Sequence, residues 1–139
     1  MKHFTLDELT YSLTATTHGI DNTPNDVAKS NLHYLVDQLL DPLRDYFGAP
    51  IVVQSGYRCP ALNQLVDGVP TSYHCKGLAA DISSLGQNRA ENARLYSLLL
   101  DSLLPFDQII QYDVTPAGPR WLHVSLQRDR PNRFVLLKK

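Results

Sequence analysis

The chain has 139 residues, 43% of them hydrophobic and 19% charged, with a formal net charge of −1. That length and balance predict one globular domain, residues 1–139, large enough to bury a real core, and they exclude a disordered or low-complexity chain. No basic excess exists to neutralise phosphates, which excludes nucleic acid as a partner, and no apolar run approaches the roughly 20 residues of a membrane span.

The opening MKHFTLDELT lacks the apolar core of a signal peptide, so synthesis in the cytoplasm without an export address is expected. Residues 4–10 read as a short helix, with Thr5 as N-cap and Glu8 three residues on. A loop through HGIDNTPND follows, and Asn25 or Asp26 opens a long helix to about Phe47. Leu32, Leu35, Val36, Leu39, Leu40 and Leu43 recur at three- and four-residue intervals, and Pro42 predicts a kink or break near Leu40. Gly48-Ala49-Pro50 stops that helix. The β-branched Ile51-Val52-Val53 reads as a buried strand running into Ser55-Gly56-Tyr57-Arg58.

Cys59 and Cys75 are too few for a disulfide framework and read as two small buried hydrophobes, a bridge in an oxidising compartment being the alternative. A short helix from Pro60 to Val66 suits a proline in the first turn. His74 to Gly77 reads as a turn and Leu78 to Ile82 as a strand; a leucine-rich helix spans residues 88–104 and ends at Pro105. FDQIIQYD, WLHVSL and RFVLL then form three short strands between Pro/Gly loops. The predicted class is α+β: helices packed on a small, mainly antiparallel sheet concentrated in the second half.

Three elements carry chemistry. In the stretch TSYHCKGLAADIS, strand alternation puts Ala79 and Asp81 on one face, and the small Ala79 leaves room beside the carboxylate. In Trp121-Leu-His-Val-Ser125 the same alternation faces Trp121, His123 and Ser125 one way. A lone histidine in a sheet is usually structural. Two histidines and an aspartate on neighbouring elements instead make a nitrogen-and-oxygen donor set that suits zinc with a fourth position open to water. Arg58, at the end of a buried strand, could offer its planar fork to a carboxylate in a cleft or pair with a surface acid.

Ser55-Gly-Tyr-Arg58, Ser72-x-His74-x-x-Gly77-x-Ala79-x-Asp81 and Trp121-x-His123-Val-Ser125, in that order, resemble the zinc D-Ala-D-Ala carboxypeptidase family. That family includes vancomycin-resistance D,D-dipeptidases and several phage endolysins, and Hedgehog signalling domains share its fold. The opening FTLDELTYSLTATTHGIDNTP and the stretch FDQII also resemble its compact members. The resemblance implies one Zn²⁺ held by His74, Asp81 and His123, and Arg58 on the substrate's carboxylate or carbonyl. Ser72 and Ser125 would support the ligands, and Gly77 would permit the turn. It implies a monomeric metallopeptidase acting on peptidoglycan peptides, reaching the cell wall by phage-type release, as a mature chain without its leader, or working as a cytoplasmic dipeptidase.

The general base departs from the family pattern. Where several relatives carry an acid three residues before the last histidine, this chain has Arg120, and where compact members end the FDQ-type strand on glutamate it has Tyr112. Asp113, one residue on, is the expected base if a bulge or strand end re-aims it. A solvated loop acid is its other reading, and Asp107 and Gln108 are the alternatives. Two further readings stand beside the enzyme: a zinc-containing module of the same fold that has lost catalysis and acts in cell-wall binding or structure, and a metal-free interaction domain.

Overall fold

The computed structural model describes residues 1–139. Polar caps set the helix starts. The Thr5 hydroxyl accepts from the Glu8 amide at 3.1 Å and opens α1, Leu6–Thr10. Ser12 does the same for Ala15 at 3.1 Å and opens α2, Leu13–Thr17, a helix that the sequence reading left unassigned. The Asn25 side chain accepts from Ala28 at 2.8 Å and opens α3, Asp26–Leu35.

The kink or break expected near Leu40 takes the form of an irregular turn without ending the helix. The helix widens into a π-turn over Val36–Leu40 and continues as α4, Asp41–Phe47, with Pro42 in its first turn. A widened turn accommodates a residue with no N–H to donate, so the helix continues past it. Gly48, at φ 69°, ends α4 in the left-handed conformation.

Five strands follow: β1 (Ile51–Ser55), β2 (Ala79–Ser84), β3 (Gln108–Tyr112), β4 (Trp121–Ser125) and β5 (Val135–Lys138), with α5 (Pro60–Leu65) and α6 (Arg89–Asp101) between them. They form one sheet in the order β1-β2-β4-β3-β5. All neighbours are antiparallel except β3 and β5, so the fold is α+β with a mixed, mostly antiparallel sheet. Four of the five strands lie in the second half, as expected, and β1 adds one edge beside β2. No helix is long and apolar enough to cross a membrane.

One face of the sheet makes the core. Ala80, Ile82, Ile109, Leu122 and Val124 are fully buried with Leu32, Leu35, Leu39 and Leu43 of the long helix and Leu95 and Leu99 of α6. The opposite face follows from the register, which pairs Asp81 with His123 and His123 with Ile110. Alternation places Ala79, Asp81, Ser125, His123, Gln108, Ile110 and Tyr112 on that second face.

Two buried polar side chains join distant segments. Asn92 of α6 accepts from the Ser84 amide at 2.7 Å and donates to the Pro119 and Arg120 carbonyls at 3.1 and 2.7 Å. It therefore ties the end of β2 to the entry of β4. Asp107, fully buried, accepts from the Arg133 amide, Nε and Nη2 at 2.9, 3.0 and 2.8 Å, and from Gln127 Nε2 at 3.3 Å. Burial pushes its carboxyl up, but the contacts to Arg133 outweigh this and hold it below the usual carboxylate range. Asp107 thereby fastens the β4–β5 connection to the start of β3. Cys59 and Cys75 are free thiols, and Cys59 Sγ accepts from Leu62 N–H at 3.4 Å as the cap of α5.

Candidate metal centre

His74 sits in a single 3-10 turn, Tyr73–Lys76, between Ser72 and Gly77. The Ser72 hydroxyl accepts from the His74 amide at 3.2 Å. Gly77 closes the turn at φ 77°, and a Cβ there would lie 2.4 Å from the Ala28 carbonyl oxygen. Asn31 of α3 donates to the Lys76 carbonyl at 2.9 Å. The turn is thus seated directly on α3, at a distance only glycine permits.

The imidazole is oriented by the SGYR segment. His74 Nδ1 lies 2.7 Å from the Gly56 carbonyl oxygen, which can only accept, so Nδ1 carries the proton and Nε2 presents its lone pair. Nε2 is buried without a hydrogen-bond partner. It stands 3.3 Å from Asp81 Oδ1, and His123 Nδ1 approaches the same oxygen at 2.9 Å. One donor atom from each of His74, Asp81 and His123 lies within 4.8 Å of the others, and the two rings are 5.1 Å apart. Burial pushes the Asp81 carboxyl up, but its contacts to His123 and His74 prevail and hold it well below the usual range. An ionised carboxylate, two imidazoles and a dry, unpartnered nitrogen fit a zinc ion.

Arg58 borders this group. Its Nη2 lies 3.7 Å from Asp81 Oδ2, while Nε donates to Ser55 at 3.2 Å and Nη1 to the Asn63 side chain at 3.1 Å. Of the two readings of Arg58, the surface pair is excluded: the side chain is largely buried and lines the cleft. The cleft, of about 410 Å³, is also lined by His74, Asp81, His123, Ile110, Tyr112 and Ser125. Its size falls in the range that admits small ligands and short peptides. Ser125 accepts from the Gln108 amide at 3.2 Å, so its hydroxyl is engaged with β3.

The expected base lies elsewhere. β3 ends at Tyr112, and the chain turns left-handed at Asp113, φ 51°. That strand end does re-aim the carboxylate, but toward Arg89, whose Nη2 pairs with it at 2.8 Å while Nη1 donates to the Asp113 and Gly118 carbonyls. The Asp113 side chain is 55% exposed and does not line the cleft. Asp107 does line it, with its carboxylate taken up by Arg133 and Gln127. Arg120 is exposed and its guanidinium lies 6.0 Å from the Trp121 ring centre.

Tyr112, the last residue of β3, lines the cleft. Its ring stacks on Trp121, centroids 4.9 Å apart and planes 7° apart. Its phenol is pushed up, first by burial and then by the charge of Asp81, against the opposing pull of Arg58. Sequence reasoning also missed Asn63, which steadies Arg58 and donates to the Val69 carbonyl at 2.8 Å. Nothing in PALNQL marks it. The Gly56 carbonyl left a faint signal, a glycine beside the arginine: a Cβ there would lie 2.2 Å from the Leu9 carbonyl oxygen.

Among curated proteins none matches the chain. The family model described as Peptidase M15 matches residues 2–99, a span that includes Arg58, His74, Gly77 and Asp81 and stops before β3. A match over well more than half of the chain establishes its kinship: the protein belongs to the peptidase M15 family.

Proposed function

We propose that the protein is a zinc-dependent metallopeptidase that hydrolyses a peptide bond in peptidoglycan stem peptides, of the D,D-carboxypeptidase or endopeptidase type. The observation that supports this reading is the convergence of His74, Asp81 and His123 donor atoms within 4.8 Å in a cleft bordered by Arg58. Zinc held there supplies a Lewis acid for the scissile carbonyl and lowers the pKa of water toward 7. The Gly56 carbonyl keeps Nδ1 of His74 protonated, so that Nε2 stays available as a donor. Asp81 stays ionised. Arg58, with Nε and Nη1 already held, is left with Nη2 to meet a carboxylate or carbonyl of the substrate.

The test is zinc analysis of the purified protein together with mass spectrometry of muropeptides digested by the zinc-loaded form. About one zinc per chain and a defined cleavage product, both lost in His74→Ala, are the expected result. Protein without stoichiometric zinc, or digestion identical to that of His74→Ala, overturns the proposal. One observation favours a second reading, a zinc-containing wall-binding module with impaired catalysis: the carboxylates of Asp113 and Asp107 are both engaged by arginines. Retained zinc and muropeptide binding without turnover would select that module.

A further inference from the structure

We propose that the Tyr112 hydroxyl is a catalytic hydrogen-bond donor, aimed at the substrate carbonyl oxygen that gains negative charge when the peptide bond is attacked. This rests on the reading of the cleft as a peptidase centre. Three observations carry it.

The first is placement. Ile110 pairs with His123, which pairs with Asp81, and Tyr112 lies two residues beyond Ile110 on the same face. That is one pleat repeat, about 7 Å along the strand, and Tyr112 lines the cleft with both histidines and Arg58. The second is rigidity. The Tyr112–Trp121 stack, at 4.9 Å and 7°, is formed between residues directly opposed in the ladder, so the ring has a fixed plane from which to present its hydroxyl. The third is availability. The Tyr112 hydroxyl takes part in none of the side-chain hydrogen bonds that hold the groups around it, and the residue lines the cleft. Asp107 is committed to Arg133 and can only accept, and most of Arg58 is committed to Ser55 and Asn63.

A phenol in this setting keeps its proton at neutral pH. It therefore donates where a carboxylate would accept, which assigns it to stabilising the oxyanion and leaves abstraction of the water's proton to another group. A donor held in place before the reaction costs no reorganisation as charge develops, and losing one such donor lowers kcat by about 10²–10³ in favourable cases. Arg58 and a metal held by His74, Asp81 and His123 would share the load, so a loss of about 10- to 100-fold is expected.

The test uses the zinc-loaded full chain and Tyr112→Phe, which removes the hydroxyl and keeps the ring on Trp121. With a D-alanine-containing muropeptide, kcat should fall about 10- to 100-fold while KM, zinc content and melting temperature stay at wild-type values. Affinity for a dipeptide phosphinate, which presents tetrahedral anionic oxygens, should fall by a similar factor, and affinity for the cleaved product should not. Unchanged kcat and phosphinate affinity overturn the proposal, as does a rise in KM alone, which would make Tyr112 a wall of the cleft. A wild type that cleaves normally beside an equally active Tyr112→Phe refutes only this inference. A wild type that binds zinc yet neither cleaves muropeptide nor binds the phosphinate refutes the peptidase reading with it.

Discussion

Replacing Gly77 by alanine tests the seat of the His74 turn. The residue sits at φ 77°, where a Cβ costs about 1–2 kcal/mol through its clash with the following carbonyl. The added carbon would also lie 2.4 Å from the Ala28 carbonyl oxygen and near the Leu32 side chain, so α3 or the turn must move. Forced overpacking of this kind costs about 1–3 kcal/mol, which brings the whole to about 3 kcal/mol. For a chain of this length the unfolding entropy is about 0.3 kcal/mol per kelvin, so the melting temperature should fall by about 10 °C. Gly48→Ala is the matched control. It has a similar φ of 69° and nothing within 4 Å of the added carbon, so it should lose only about 3–6 °C. Calorimetry of both variants in the presence of a chelator separates the terms. Equal losses would show that the contact with Ala28 carries no strain, and a Gly77→Ala melting point within about 2 °C of wild type would refute the argument as a whole.

Asp107→Asn should cost about 2–3 kcal/mol at neutral pH, less than a fully buried ion pair because Arg133 is half exposed. Since the folded carboxyl titrates below its ordinary value, that contribution is complete above about pH 5 and disappears as pH falls through the lowered pKa. The gap between wild type and variant in urea melts should therefore close toward about pH 2, and a gap that persists there refutes the assignment. Asn92→Ala leaves the Ser84 amide and two carbonyls unpartnered and should lose about 2–4 kcal/mol by denaturant unfolding, whereas a loss below about 1 kcal/mol would mean water replaces the amide. Chelation should lower the melting temperature by about 9 °C relative to protein in zinc at about one hundred times its dissociation constant. No shift at all would favour a metal-free domain.

The parity of the strands was legible because a period of two leaves no freedom. Once 121–125 is read as a strand, Trp121, His123 and Ser125 must share a face, and 79–81 behaves the same way. The cap Thr5 was legible for a similar reason, and Asn25 as one of two candidates with Asp26, each cap acting within three residues of itself. Features set by partners far along the chain were not. The π-turn answers Pro42 within a helix that the core holds on one side, an outcome local propensity does not decide. Asp113 was expected to reach the cleft, and the partner that draws it away, Arg89, is 24 residues distant. Asp107 offered itself as a base in the sequence and is a structural anchor in the fold, because Arg133 arrives from the β4–β5 connection. The parallel pairing of β5 with β3 depends on that same connection, and no pattern within RFVLL announces it.

The segments 56–58 and 74 are bound twice. The Gly56 carbonyl accepts from the His74 ring, and the Arg58 amide donates to the His74 carbonyl at 3.1 Å. Leu9 adds a third fastening, its carbonyl accepting from the Tyr57 amide at 2.7 Å. The main chain at Arg58 is therefore tied to the main chain at His74, and the guanidinium is brought to the imidazole by its bonds to the Ser55 and Asn63 side chains. If Arg58 grips a peptide as proposed, the distance from that grip to the His74 side is set by this doubly tied chain path together with Ser55 and Asn63, and selection by length would follow from both.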